Sequence, residues 1–152
     1  MAKIVSINIS RVKGRKRPVK TAVFIKNYGL KGDVHASPGK RQVSLLAVES
    51  YERFKKSSTS MHCFKHGSFG ENLTTKGVKL HKLKIGCLLQ IGRVVLRVSK
   101  IGKECHAPCK IAKLAGSCIM PKEGIFAQVV IGGRVRCGEN IIVKKNNIKK
   151  DQ

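Results

Sequence analysis

The stretch LLQIGRVVLRV, residues 88–98, decides the predicted fold. Two apolar runs, residues 88–91 and 94–98, flank the pair Gly92-Arg93. A two-residue loop with glycine first is typical of a tight turn between antiparallel strands. The stretch therefore predicts a β-hairpin.

A second hairpin is predicted nearer the C-terminus. There the pair Gly132-Gly133 separates the apolar run 126–131 from residues 134–136. Residues 140–143, an asparagine followed by three apolar residues, are expected to end the ordered part of the chain. The second half of the sequence is thus typical of short strands joined by tight turns.

The first half shows similar strand patterns. Residues 3–9 alternate apolar with polar side chains from residue 4 onward, which predicts a half-buried strand. Residues 21–25 predict a second strand, and the glycines and proline of residues 27–40 predict a loop. Residues 42–46 predict a buried strand that leads into a helix, where Ala47, Val48, Tyr51 and Phe54 recur at helical spacing.

Many short strands with few short helices indicate a mainly β protein. We expect a compact closed β-barrel. A chain of 152 residues fits one domain, residues 1–152, with an ordered core of about residues 3–144 and a basic polar tail.

The charge balance is extreme, with 32 Lys and Arg against 8 Asp and Glu, a formal net charge of +24. Such a field attracts anions. Nucleic acid is nevertheless a disfavoured partner, because aromatic residues are 5% of the chain and no nucleic-acid-binding motif is present. No apolar run is long enough to cross a bilayer and no export signal is evident, so we expect a cytoplasmic protein without a membrane partner.

Three of the six cysteines, Cys105, Cys109 and Cys118, fall in one short segment. A cytoplasmic location disfavours disulfides and favours metal binding or thiol chemistry. A structural zinc site with His106 is a weaker interpretation, because the spacing lacks the paired Cys-x-x-Cys motif. Lys103, His106 and Lys110 surround the thiols and favour the reactive thiolate form.

The remaining cysteines, Cys63, Cys87 and Cys137, stand apart from one another in the sequence, which favours simple packing roles. Two loops add polar candidates: Asp33 with His35, and Glu71 with Asn72. A lone loop histidine is more often solvated than functional, and short polar loop residues often bind the backbone. A direct role is therefore the less common outcome for each of these residues alone.

Six motifs stand out along the chain: residues 32–36 (GDVHA), 41–46 (RQVSLL), 67–75 (GSFGENLTT), 83–86 (LKIG), 98–106 (VSKIGKECH) and 118–127 (CIMPKEGIFA). Together and in this order they resemble MOSC domains, the C-terminal domains of molybdenum cofactor sulfurases and their small stand-alone bacterial relatives. The resemblance runs from about residue 5 to residue 143.

The resemblance implies a barrel-like β fold and binding of the molybdenum cofactor, a phosphorylated pterin that holds its metal through a dithiolene. It also implies a cysteine that transfers sulfur or coordinates molybdenum. Cys109 is the best match for that cysteine and for the metal ligand, with Cys105 and Cys118 as competitors.

The resemblance further implies a set of cofactor-binding residues. Arg41, Lys103 and Lys110 are expected to neutralise the cofactor phosphate. Polar contacts to the pterin are expected from the matching motif positions Asp33, His35, Gln42, Ser44, Glu71, Asn72 and His106.

Expected partners are the molybdenum cofactor or a molybdoenzyme, and a sulfur donor protein. A sulfurtransferase and a component of a molybdenum-dependent reductase both remain open. No pyridoxal phosphate is expected, because the sequence lacks a cysteine desulfurase domain. The alternatives are a basic module that binds nucleic acid or another polyanion, and a structural zinc protein.

Overall fold

The computed structural model describes residues 2–12, 16–57, 70–102 and 124–144. In these ranges the chain forms one α-helix, α1 (Val48–Ser57), and a single 3-10 turn, Leu80–Lys82. The strands are β1 (Lys3–Ile9), β2 (Arg17–Val19), β3 (Thr21–Ile25), β4 (Gly29–Leu30), β5 (Val43–Ala47), β6 (Leu73–Lys76), β7 (Leu88–Ile91), β8 (Val94–Ile101), β9 (Ile125–Ile131), β10 (Gly133–Arg136) and β11 (Ile142–Lys144).

The strands form two sheets. The larger has the order β11-β7-β8-β9-β5-β6-β1-β2, and the smaller has the order β10-β3-β4. Strands β5 and β6 are parallel neighbours, and the connection between them includes α1. This agrees with the need of parallel strands for a long crossover connection.

One apolar cluster joins the two sheets. It includes the fully buried side chains of Leu45 and Leu96 from the larger sheet and of Phe24 and Leu30 from the smaller one. Burial of such side chains contributes about 1.5–3 kcal/mol each. This cluster is the hydrophobic core of the described part of the chain.

The mainly β prediction and several individual elements are confirmed. Strands β7 and β8 pair as the predicted hairpin, with Ile91 opposite Val94. Strands β1, β3 and β5 and helix α1 lie where the sequence predicts them. The predicted loop 27–40 contains one short strand, β4, which pairs with β3.

The prediction of a closed barrel is wrong, because the larger sheet is an open half-barrel with β11 and β2 at its edges. The reason lies in β1. One side of this strand pairs with β6, and its other side is divided between two partners. Its C-terminal half pairs with β2, while its first residues meet the segment before β11 through the bridge of Lys3 with Asn140 and through backbone hydrogen bonds between residues 2–4 and residues 138–141. Among the described strands, β11 itself pairs only with β7.

The second predicted hairpin is also wrong. Strand β9 pairs with β5 and β8 in the larger sheet, whereas β10 pairs with β3 in the smaller one. Gly132 allows this crossing between sheets, since a Cβ atom there would lie 2.5 Å from the carbonyl oxygen of Phe24. The glycine is required for close backbone approach and does not form a turn between paired strands.

Strand β1 also differs from a half-buried strand. Its polar residues Ser6 and Asn8 are buried along with Ile4, Ile7 and Ile9. Both belong to a hydrogen-bonded network inside the molecule, described next. Among the described residues, no helix is long and apolar enough to span a membrane.

Candidate functional site

A buried ion pair lies at the centre of the candidate site. Nζ of Lys16 lies 2.9 Å from Oδ1 and 3.2 Å from Oδ2 of Asp33. The two side chains are 4% and 1% exposed, so both charges are withdrawn from water. Lys16 immediately precedes β2, and Asp33 follows β4. The pair therefore ties the edge of the larger sheet to the loop that leaves the smaller one.

Two further groups hold the Asp33 carboxylate. The backbone N–H of Ser10 donates to Oδ1 at 2.9 Å, and Nδ2 of Asn72 donates to Oδ2 at 3.0 Å. Burial alone would raise the pKa of Asp33. The hydrogen bonds from Ser10, Lys16 and Asn72 and the charge of Lys16 outweigh it, so the pKa lies below its ordinary value of 3.8. Asp33 is thus a fixed anion at neutral pH.

Asn72 connects this carboxylate to two strands. Its Nδ2 also donates to the carbonyl oxygen of Asn8 at 3.1 Å, and its Oδ1 accepts from the backbone N–H of Ser44 at 3.0 Å. Oγ of Ser44 lies 3.1 Å from both Oδ1 of Asn72 and the carbonyl oxygen of Gly70. These contacts use both donors of the Asn72 amide, while the single hydroxyl proton of Ser44 is shared between two acceptors, Oδ1 of Asn72 and the Gly70 carbonyl oxygen. A direct contact between Nδ2 of Asn72 and a ligand would require one of its two hydrogen bonds to break.

Glu71 forms the second half of the network. Its Oε2 accepts from Oη of Tyr51 at 2.7 Å and from Oγ1 of Thr74 at 2.9 Å. Nδ2 of Asn8 donates to the Glu71 carbonyl oxygen and to Thr74 Oγ1, at 3.3 Å and 3.2 Å. The carboxylate is 0% exposed. Glu71 therefore fixes the loop before β6 against helix α1.

Gln42 stabilises the neighbouring loop. Its Nε2 donates to Oδ1 of Asn27 and to the carbonyl oxygen of Gly39, at 2.9 Å and 3.0 Å. Its Oε1 accepts from the backbone N–H of Val129 at 2.9 Å. The side chain is 1% exposed. It connects both ends of the loop 27–40 to strand β9.

Arg41 and His35 are exposed. The Arg41 guanidinium lies over the ring of Phe126, with Cζ 5.5 Å from the ring centroid. In the described part of the chain, the sole ion pair is that of Lys16 with Asp33, so Arg41 has no carboxylate partner there. Arg41 is thus a cation that can still pair with an oxyanion.

Six of the predicted site residues lie outside the described residues: Lys103, Cys105, His106, Cys109, Lys110 and Cys118. The structure does describe the two points from which this segment departs and returns. The N–H of Gly102 donates to the carbonyl oxygen of Gly124 at 2.7 Å, so the segment 103–123 begins and ends at one place.

The strand register connects the ends of the segment 103–123 to the polar network. Ile125 pairs with Ile101 of β8 and with Leu45 of β5, and the next residue, Phe126, pairs with Ser44. Adjacent strands lie about 4.8 Å apart. The ends of the cysteine segment are therefore one strand away from the strand that carries Ser44.

Of the two described cysteines, Cys87 is buried as a packing role requires, whereas Cys137 is not. Cys87 is buried, and burial raises the pKa of its thiol, which disfavours the reactive thiolate. Cys137 is exposed, and its Sγ contacts the carbonyl oxygen of Val5. Across residues 2–12, 16–57, 70–102 and 124–144, no three His, Cys, Asp or Glu side chains form a metal-binding group. Cys63 lies outside these ranges.

Sequence reasoning missed Lys16, Asn8 and Tyr51 as members of the network. Lys16 belongs to a run of basic residues, for which a solvated loop is the usual outcome. Asn8 occupies a polar position of an alternating strand, which predicts exposure. No local sequence pattern distinguishes Lys16 or Asn8 from a solvated residue. Their burial follows from long-range contacts, of Lys16 with Asp33 and of Asn8 with Glu71.

Comparison with known proteins gives both a family and related folds. The model of the MOSC domain family matches residues 31–146. No curated protein sequence matches the chain.

Three solved structures show the same fold. The YuaD protein of Bacillus subtilis superposes with a TM-score of 0.80 at 19% identity, over 96% of this chain and 97% of that one. YiiM of Geobacillus stearothermophilus gives 0.73 at 20% identity, over 97% and 77%. YiiM of Escherichia coli gives 0.71 at 19% identity, over 98% and 73%.

The matched region includes Asp33, Glu71 and Asn72, and it runs through the cysteine segment. It covers well over half of the chain. The chain belongs to the MOSC domain family.

Proposed function

We propose that this protein binds the molybdenum cofactor and carries sulfur on a cysteine of the segment 103–123, with Cys109 as the first candidate. The MOSC family is linked to molybdenum cofactor sulfurase. The observation that carries the proposal for this chain is the pairing of Gly102 with Gly124. It fixes both ends of the three-cysteine segment beside the strand of Ser44.

The charges of the described residues are compatible with an anionic cofactor. Asp33 is a buried anion, but Lys16 neutralises it at 2.9 Å, so it does not oppose an incoming phosphate. Arg41 presents an exposed guanidinium with no carboxylate partner among the described residues. Arg41 would hold the cofactor phosphate together with Lys103 and Lys110.

Thiolates of the cysteine segment fit the metal. A soft sulfur ligand suits a metal that is already held by sulfur, and Cys109 would supply it. When bound, the cofactor supplies a redox-active molybdenum centre. Lys103, His106 and Lys110 would keep the thiol ionised. Asp33, Ser44, Glu71 and Asn72 would act by holding the loops in place, because their described contacts are with one another and with the backbone.

The sulfur-carrying step needs a donor that presents a persulfide. The Cys109 thiolate would attack the outer sulfur of that persulfide and form a new S–S bond, while the donor cysteine leaves as a thiolate. The electron pair of the broken S–S bond stays on the leaving thiolate, so no external oxidant is needed. Cys109 would then hold the persulfide for transfer.

Expression in a host that makes the cofactor tests the binding claim. We expect the wild-type protein to co-purify with molybdenum and pterin and Cys109→Ser to lose most of both, measured by metal analysis and by pterin fluorescence after oxidation. Cys137→Ser is the matched control, since Cys137 is an exposed thiol on another part of the fold. Full cofactor retention after replacement of Cys105, Cys109 and Cys118 together would contradict the proposal.

A further inference from the structure

A cavity of about 340 Å³ lies between the end of β1, strand β2 and the smaller sheet. Three cationic side chains line it: Arg11, Lys31 and Arg134. No acidic residue is among the described residues around it. The nearest carboxylate along the chain, Asp33, is already paired with Lys16.

The backbone holds the three cations at one place. The N–H of Lys31 donates to the carbonyl oxygen of Val23 at 2.8 Å, and Arg134 is the register partner of the same Val23. Arg11 follows Ser10, whose N–H donates to Asp33 and whose carbonyl oxygen accepts from Val34. Each cation is thus attached to a hydrogen-bonded backbone position.

Gly32 leaves room beside Arg11. A Cβ atom on Gly32 would lie 3.9 Å from Nη1 of Arg11. The Arg11 guanidinium therefore lies close to the backbone of Gly32, which carries no side chain. Like charges gathered at one depression repel one another unless an anion joins them. In the described residues none of the three cations takes part in an ion pair. The arrangement is therefore suited to an added anion.

Beside the cations, the wall has an apolar part, formed by Ile9, Val19, Ala22 and Val23. Thr21 and Gly32 complete the lining. An inorganic anion would gain nothing from the apolar side chains, whereas an organic group attached to the anion would cover them. We propose that this cavity binds the phosphate of an organic phosphomonoester, with Arg11, Lys31 and Arg134 on the phosphate and the apolar wall on the organic group.

This site does not depend on the cysteine segment or on the proposed function. Its ligand is recognised by a dianionic phosphate and an apolar substituent, and arginine suits the phosphate because its planar fork donates two parallel hydrogen bonds. Cys109→Ser is therefore expected to leave phosphate binding unchanged, so failure of one proposal is distinguishable from failure of the other.

Calorimetric titration with phenyl phosphate at constant ionic strength tests the site. We expect Arg134→Gln and Lys31→Gln each to weaken binding by about tenfold, which corresponds to about 1.4 kcal/mol. Arg136→Gln is the matched control: Arg136 lies two residues along β10, is also exposed, and is not among the residues that line the cavity. It should change the affinity by less than about twofold.

Two comparisons identify the source of the phosphate. Inorganic phosphate is expected to bind more weakly than phenyl phosphate, because it leaves the apolar wall exposed. Equal affinities would overturn the assignment to an organic monoester. Absence of phenyl phosphate binding, or equal losses in Arg134→Gln and Arg136→Gln, would overturn the site itself. Binding of a single-stranded oligonucleotide with equal losses in both variants would assign the charge to a general polyanion surface.

Discussion

Asp33 and Lys16 are a charged pair that the fold has removed from water, and their energetics follow from that position. Both side chains are nearly fully buried, with 2.9 Å between Nζ and Oδ1. Removal of one member leaves the other charge buried without compensation. Such changes cost about 3–5 kcal/mol, whereas replacement of both members costs much less.

We therefore expect Asp33→Asn to lower the free energy of unfolding by about 3–5 kcal/mol in urea denaturation. The double variant Asp33→Asn with Lys16→Met should lose less than the sum of the two single changes. Lys20→Met, at an exposed position between β2 and β3, is the control and should change stability by less than about 0.5 kcal/mol. Strict additivity of the two changes would contradict the pairing.

The same carboxylate makes stability depend on pH. Its pKa in the folded state is lower than the ordinary 3.8. A depressed pKa contributes stability that is fully present above the unfolded-state value and is lost as the pH falls through the folded-state value. We expect the stability difference between wild type and Asp33→Asn to be constant above about pH 5 and to shrink below about pH 4. A difference that grows on acidification would contradict this sign.

At the scale of elements, local patterns predicted strands well but not their partners. The alternation in residues 3–9 and the hairpin around Gly92-Arg93 were sufficient for β1, β7 and β8. The pair Gly132-Gly133 has the same local chemistry as a hairpin turn. Its use as a crossing between sheets depends on contact with Phe24, which is more than a hundred residues away and leaves no mark in the local sequence.

Gly132→Ala tests that crossing. The added methyl group would lie 2.5 Å from the Phe24 carbonyl oxygen, so strand β10 must shift away from β3. We expect a loss of about 1–3 kcal/mol and faster amide exchange in β3 and β10. Gly70→Ala is the control: open space surrounds that position, so its backbone strain should leave exchange in β3 and β10 unchanged. Unchanged exchange in Gly132→Ala would contradict the contact.

In the polar network, too, the sequence predicts residues but not their partners. The family motifs predict pterin contacts from Asp33, Ser44, Glu71 and Asn72, and that stays a prediction; what the structure adds is that the four residues lie in one hydrogen-bonded network. Their partner Lys16 and the orientation of Asn8 were not expected. A buried lysine and an exposed lysine are identical in sequence, and the difference arises from a carboxylate 17 residues further along.

At the scale of the whole molecule, the net charge of +24 on 152 residues acts on stability through self-repulsion. Added salt screens interactions between exposed charges much more than it weakens the buried Asp33–Lys16 pair. We expect the melting temperature to rise as sodium chloride increases from about 20 mM to about 300 mM, in the range where the screening length shortens most. A falling melting temperature would show that attractive surface pairs dominate.

The barrel prediction failed at this scale for a related reason. Strand count and turn spacing indicate a curved sheet, but closure of the sheet depends on which strand pairs with the side of β1 that faces away from β6. Here β2 pairs with the C-terminal half of β1, and the first residues of β1 contact residues 138–141, which precede β11. Strand β2 has three residues and follows a basic run. The sequence therefore gives little sign that β2, and not β11, pairs with β1.

The central claim is that Cys109 carries sulfur. Its most direct test is intact-peptide mass spectrometry after incubation with a persulfide donor and removal of the donor, with thiol-blocking to trap the product. We predict a mass increase of one sulfur atom on the peptide that contains Cys109, and its absence in Cys109→Ser but not in Cys137→Ser. An added sulfur found on Cys137 alone, or equal loading of the Cys109→Ser protein, would contradict the claim.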